Sequence, residues 1–300
     1  MTIAPGLPAG RLAALGAHGG FEMPPTPAPE EPEALGRLGS LDISMARGAR
    51  DVRRAQKLRY RVFYQEMAAI PDAAMRRARR DIDAFDTICD HLLVRDHQPE
   101  RAAGARKRKV VATCRLLRQD AAAHHGGFYT EGEFELAALI ARHPQARFLE
   151  LGRSCVVAAY RHKRTVELLW HGIWAYVLKH RVDAMFGCAS LDGTDPDQLA
   201  LPLSFLHHFA AAPERWRVRA VPSRHVEMNR MPKAAVDTKA AVRELPPLIK
   251  GYLRLGAFVG DGAVIDYQFG TTDILIVLPV AGISARYVQH FGPGAERHAA

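Results

Sequence analysis

Between residues 52 and 68, Leu58, Val62, Phe63 and Met67 recur at helical spacing with arginines on the other side, which predicts an amphipathic helix. Segments 91–95, 110–117 and 148–158 are short apolar runs bounded by polar or basic turns, and each predicts a strand. Segment 165–180 returns to the helical period, with Val166, Leu169, Trp170, Ile173, Val177 and Leu178 on one stripe. Residues 184–191 follow as a buried strand. A strand–helix–strand order predicts a parallel pair joined by a right-handed crossover. Farther on, the pattern predicts a helix from Asp195 to about residue 211, a short strand near Val218, a helix over 248–255, and closing strands at about 263–269 and 273–279. Together these make an α/β fold with a mixed sheet.

Composition sets the outer bounds. Residues 1–45 read as a disordered leader rich in Ala, Pro and Gly, with prolines at 24, 25, 27, 29 and 32. A folded domain is expected over 50–285 and a flexible tail over 286–300. No apolar run reaches the ~18–20 residues that cross a bilayer, and Pro5, Pro8, Gly10, Gly16 and Gly20 break up any signal-peptide pattern. A cytoplasmic location is expected, with any membrane contact peripheral. The four cysteines are widely spaced in apolar stretches, without a Cys-x-x-Cys pair, so they read as buried free thiols.

The formal charge of +9 suits an acidic protein, an anionic membrane or nucleic acid. Its basic clusters at 76–80, 106–109 and 161–164 occupy turns and lack interleaved aromatics, which speaks against a nucleic-acid module. Several catalytic patterns also fail. His91 and Asp96 have acyltransferase-like spacing, but the residues between them form a buried strand. Gly152-Arg153-Ser154-Cys155-Val156 lacks the second glycine of a nucleophile elbow. Gly256, Gly260 and Gly262 do not open a helix, and the histidine pairs 124–125 and 207–208 lack a carboxylate or thiol at ligand spacing. No metal site is expected.

One ordered set remains. Arg59 and Phe63 lie four residues apart, Asp83-Ala84-Phe85-Asp86 precedes the first predicted strand, Arg115 sits in Cys114-Arg115-Leu116, and Glu150-Leu151-Gly152-Arg153 opens the strongest strand. Each member alone has a mundane reading as a cap, turn or strand end. In this order they resemble the signature of the acyl-homoserine-lactone synthases. The segment from Leu245-Pro246-Pro247 through Gly256-Ala257, then 260–266 and Phe269-x-Thr271-Thr272-Asp273, is similar to the ornithine–acyl carrier protein N-acyltransferases. That second likeness extends over about 50–280.

The resemblance implies a GNAT-like fold, a mixed sheet flanked by helices in which two parallel strands splay to admit a pantetheine arm; here these are 148–158 and 184–191. It implies transfer of a (3-hydroxy)fatty acyl group from acyl carrier protein to the α-amine of ornithine, giving lyso-ornithine lipid; the alternative is an acyl-homoserine-lactone synthase-type or other acyl-thioester-dependent N-acyltransferase. The donor is the acyl-phosphopantetheine of the carrier protein, and no bound cofactor is expected. Partners are then the acidic carrier protein, ornithine and, peripherally, the inner membrane, with no nucleic acid. Glu150 is the candidate base. Asp83 and Asp86 are candidates to hold the cationic amino acid, Arg115 and Arg153 to bind its carboxylate or brace those acids, and Arg59 and Phe63 to complete the substrate site. Arg161, His162, Lys163 and Arg164 open the crossover helix and suit the phosphodiester. A bulge at Gly152 is expected, because without one strand alternation would separate Glu150 from Arg153.

Overall fold

In the computed structural model, which describes residues 34–67, 69–97, 109–284 and 287, eight strands form one sheet. They are β1 Gly36–Leu38, β2 Leu41–Met45, β3 Asp90–Asp96, β4 Lys109–Arg118, β5 Phe148–Val156, β6 Ala184–Asp192, β7 Phe258–Asp266 and β8 Thr271–Pro279, in the spatial order β1-β2-β3-β4-β5-β6-β8-β7. Only β5 and β6 run parallel; every other neighbouring pair is antiparallel. The helices are α1 Gly48–Tyr60, α2 Ala73–Ala78, α3 Gln119–Ala123, α4 Leu136–Arg142, α5 Lys163–Lys179, α6 Ala200–Phe209, α7 Thr238–Glu244 and α8 Pro247–Arg254.

Strand alternation sends successive residues to opposite faces. Leu149 and Leu151 of β5 join Ile274, Ile276 and Leu278 of β8 in one apolar cluster, together with Leu58 of α1 and Leu168 and Ile173 of α5. Phe148, Leu275 and Val277 enter the other cluster, with Leu136 and Leu139 of α4. Both faces are covered, as a parallel pair at the centre of a sheet requires.

Several boundaries differ from expectation. Residues 36–45, assigned above to the leader, form a hairpin that pairs with β3. Its two-residue turn starts at Gly39 with φ 65°, a conformation glycine adopts without strain. The alternation of Leu41, Ile43 and Met45 is a strand signal that the neighbouring Gly- and Pro-rich composition obscures. Residues 1–33, and the tail apart from Tyr287, lie outside the described residues, as do Arg106, Lys107 and Arg108. The helix expected from Asp195 begins at Ala200. Near Val218 only isolated bridges occur, from Arg219 to Asp261 and from Ala220 to Phe134. The first closing strand is 258–266 rather than 263–269, because Asp266 caps a turn through Gln268 and Phe269.

The central feature is where β5 and β6 part. They pair at Phe148–Ala184, Leu149–Met185 and Glu150–Phe186 and no farther, although β6 stays paired with β8 through Asp192. Gly187 sits at the crotch, where a Cβ would lie 2.3 Å from the Leu151 carbonyl oxygen. Gly187→Ala therefore forces two backbones apart. The expected loss is about 1–3 kcal/mol of stability, read as a lower urea midpoint with an unchanged m-value.

Candidate active site

The helix predicted over 52–68 is α1 followed by a π-helical stretch, Arg61–Glu66. The wider turn brings both Phe63 and Tyr64 against Phe269, at ring separations of 5.4 and 6.0 Å. Arg59, one position before the end of α1, is fully buried and meets the loop before β3. Its Nη1 and Nη2 donate to Asp86 at 2.7 and 2.8 Å, and its Nε lies 2.7 Å from Asp81 Oδ2 as an ion-pair contact. Gln56, three residues earlier on the helix, donates to the same Asp86 carboxylate at 2.9 Å.

Asp83 and Asp86 form a reciprocal capping box around the short turn Ala84–Thr87. Arg115 of β4 donates to Asp83 at 2.6 and 2.7 Å, and Arg153 reaches Asp81 and Asp83 at 3.4 Å each. Three arginines and three aspartates thus form one buried network. Burial alone would raise the Asp86 carboxyl, but Arg59, Gln56 and Arg115 outweigh it and hold it far below the usual aspartate range. Asp83 and Asp86 are thus both bonded to arginines, and Arg115 and Arg153 to those acids. Phe63 packs edge-on against Phe269.

The bulge exists, but its special residue is Arg153. On β5, Gly152 pairs with Arg115 and Cys155 with Thr113, so two residues oppose Cys114 alone. Arg153 has φ 48°, in the left-handed region, while Gly152 does not. The Arg153 guanidinium stacks 4.8 Å from the Tyr129 ring and 5.3 Å from that of Phe269. Glu150 also converges on Tyr129. Its Oε2 accepts from Tyr129 N–H at 3.0 Å, and its Oε1 accepts from Thr130 N–H at 2.9 Å and the Thr130 hydroxyl at 2.6 Å. Glu150 is 4% exposed and lines a small cleft with Cys89, Arg115, Leu117, Tyr129 and Gly152. Burial raises its carboxyl above the usual glutamate range against the pull of those three donors.

The start of α5 lies beyond the fork. Arg161 donates to the Val156 carbonyl and pairs with Glu66 at 2.6 Å, His162 is the N-cap facing Thr165 N–H, and exposed Lys163 lies 3.5 Å from Glu167. Among the described residues Arg164 pairs with no carboxylate.

Sequence reasoning gave no role to three groups of residues. Asp81 joins the network two residues before the Asp-x-Phe-Asp motif. Tyr129 and Thr130 hold Glu150 from a turn without any distinctive spacing. Glu133, Asp266 and Asp273 bring carboxylate oxygens within 4.8 Å of one another, with Arg224 3.3 Å from Glu133. Burial, with Glu133 and Asp266 adding to it and hydrogen bonds from Ser190 and Thr271 opposing it, pushes Asp273 up to about 6. Cys188 of β6 links the two regions: its thiol donates to Glu133 at 3.1 Å and lies 3.8 Å from the Thr130 hydroxyl.

Residues 58–171 match the acetyltransferase (GNAT) domain family. The chain is 53% identical over 264 residues to the L-ornithine N(alpha)-acyltransferase of Agrobacterium fabrum (strain C58 / ATCC 33970), covering 88% of this chain and 89% of the relative. It is 40% identical over 253 residues to the protein of the same name from Rhodobacter capsulatus, covering 84% and 95%. Among solved structures, the N-acyl amino acid synthase FeeM from uncultured soil microbes aligns over 82% of this chain and 92% of that one, with TM-score 0.43 and 10% identity. The acyl-homoserine-lactone synthase LasI aligns over 84% and 94%, with TM-score 0.44 and 11% identity.

Removing one carboxylate from the buried network leaves an excess of buried positive charge. Asp86→Asn is expected to cost about 3–5 kcal/mol, measured by urea unfolding at neutral pH. Because the Asp86 carboxyl is depressed in the folded state, its contribution is present above about pH 4 and is lost as pH falls through the lower folded value. The gap between wild type and variant should narrow on acidification below that point.

Proposed function

Because this chain belongs to the L-ornithine N(alpha)-acyltransferase family, a branch of the GNAT fold, we propose that it moves a fatty acyl group from the phosphopantetheine thioester of acyl carrier protein to the α-amine of ornithine, yielding lyso-ornithine lipid. The observation that carries this reading is the fork: β5 and β6 separate immediately after the register position of Glu150. An extended thioester-bearing arm fits such a gap, where its amides can pair with free strand edges. The first N–H groups of α5, with Lys163 and Arg164, suit the phosphodiester of the arm.

In the reaction, the ornithine α-ammonium gives one proton to the Glu150 carboxylate, directly or through a water. The freed lone pair forms the C–N bond at the thioester carbonyl, and collapse of the tetrahedral adduct breaks the C–S bond. The remaining excess proton on nitrogen passes to the departing thiolate, leaving an amide and a free thiol. Strand N–H groups beside the fork can stabilise the oxyanion. No covalent enzyme intermediate is required.

Ornithine also carries a δ-ammonium. With Asp83 and Asp86 committed to arginines, the anionic contact for that charge falls to Glu133, Asp266 and Asp273, where carboxylates outnumber the one adjacent guanidinium. Thr130 and Cys188 connect this group to Glu150.

The deciding experiment incubates purified protein with 3-hydroxyacyl carrier protein and a panel of amines, with products identified by mass spectrometry. N(α)-acylornithine is expected; acylation of another amine in preference to ornithine would refute the assignment. Glu150→Gln should lower turnover by about 10²–10⁴-fold while the folded structure persists by circular dichroism. Because the Glu150 carboxyl is raised and must be ionised to accept a proton, kcat/KM in the wild type should fall on its acid limb at a pH above the ordinary glutamate range. Asp273→Asn should raise KM for ornithine about 10–100-fold while sparing norvaline, which lacks the second amine; an equal loss on both would remove Asp273 from substrate selection.

A further inference from the structure

Two chain tips beside the bulge carry exposed apolar side chains. Met67 follows the π-helical stretch and Ile70 stands in the loop before α2, while Tyr267 occupies the turn between β7 and β8. They are 48%, 63% and 75% exposed. The two tips adjoin: Ile70 N–H donates to the Gln268 carbonyl at 2.8 Å, and Phe269 of the same turn packs on Phe63 and Tyr64.

Cations follow Ile70 closely in the chain. Arg76 and Arg77 of α2 and Arg79 at its C-cap are exposed, and among the described residues none pairs with a carboxylate. The nearby acids are engaged: Asp72 caps α2 through Met75 N–H, and Glu66 lies between Arg61 at 3.3 Å and Arg161 at 2.6 Å. A single exposed apolar residue needs no explanation, but three on adjoining tips, with three exposed arginines on the helix and C-cap that follow, suit insertion among anionic headgroups.

We propose that this face docks the protein on an anionic lipid bilayer. Met67, Ile70 and Tyr267 enter the boundary between headgroups and acyl chains, and Arg76, Arg77 and Arg79 meet lipid phosphates. A folded acidic protein fits less well, because each protruding apolar tip would need a matching recess in its surface, whereas a bilayer yields to it. On the acylation reading, the product is an amphiphile, and docking here lets its chain leave without crossing water. The docking itself does not depend on that chemistry.

The test is flotation of the full-length protein with vesicles of phosphatidylcholine alone, or of phosphatidylcholine and phosphatidylglycerol in equal parts. Wild type should float with the anionic vesicles only, and less so as salt is raised. Arg76→Gln with Arg77→Gln should weaken binding about 30-fold. Ile70→Ser with Tyr267→Ser should also detach the protein while leaving its unfolding midpoint and its turnover without vesicles unchanged. Wild type that ignores anionic vesicles, or variants that bind as wild type does, would overturn the proposal. So would variants that lose carrier-protein binding yet keep vesicle binding, since the face would then belong to a protein partner. Flotation requires no turnover, so its failure and that of the acylation assignment are read separately.

Discussion

A strand can keep hydrogen bonds on both edges only while both neighbours follow its direction, and the bulge at Arg153 ends that condition for β5. An extra residue opposite Cys114 bends the strand and increases its twist. β4 follows the bend and pairs again from Cys155 onward, while β6 stays with β8, so β5 and β6, unpaired after Glu150, remain apart. The bulge places a non-glycine residue in the left-handed region, which costs about 1–2 kcal/mol and persists only where surroundings over-determine it. Here Asp81 and Asp83 draw the Arg153 guanidinium from one side, and the rings of Tyr129 and Phe269 sandwich it. The fork thus opens three residues before the arginine that is held in the bulge.

That view explains why so much charge is buried at this spot. Isolated charges in the interior are prohibitively unfavourable, and paired ones roughly break even against apolar packing. Equal numbers of arginines and aspartates, each bonded more than once, meet the requirement. What the network provides is definition. Arg59 ties α1 to the loop before β3, Arg115 ties that loop to β4, and Arg153 ties it to β5. A hydrophobic cluster of the same volume would hold these four elements together without fixing a left-handed residue on one of them.

Legibility in the sequence followed the physics of each segment. β3 through β6 and α5 were readable because long apolar runs and a clear helical stripe leave few alternatives, and the parallel pairing of β5 with β6 followed from chain order. Glycine at 152 pointed to a bulge of the right kind, but the residue absorbing the strain was its neighbour, since ion pairs can hold an arginine where glycine would otherwise be expected. The π-helical turn at Arg61–Glu66 left no trace, because widening by one residue per turn hardly alters an apolar pattern over so few residues. Asp81, Thr130 and Glu133 were invisible for another reason. Loop residues acquire their meaning from partners far away in the chain, and no periodicity records that.

The motifs that suggested a function also serve the fold. Arg59, Asp83, Asp86, Arg115 and Arg153 bond mainly to one another, so a signature built from them marks a scaffold that opens the sheet beside Glu150. On the proposed reaction, acceptor choice would then come from groups outside this network. Asp266 and Asp273 lie on the closing strands β7 and β8, in the part of the chain beyond that signature, and with Glu133 they supply the carboxylates that the network cannot spare. On the acylation proposed above, the network would brace the reaction slot, and Glu133 with the C-terminal hairpin would select the amine that enters it.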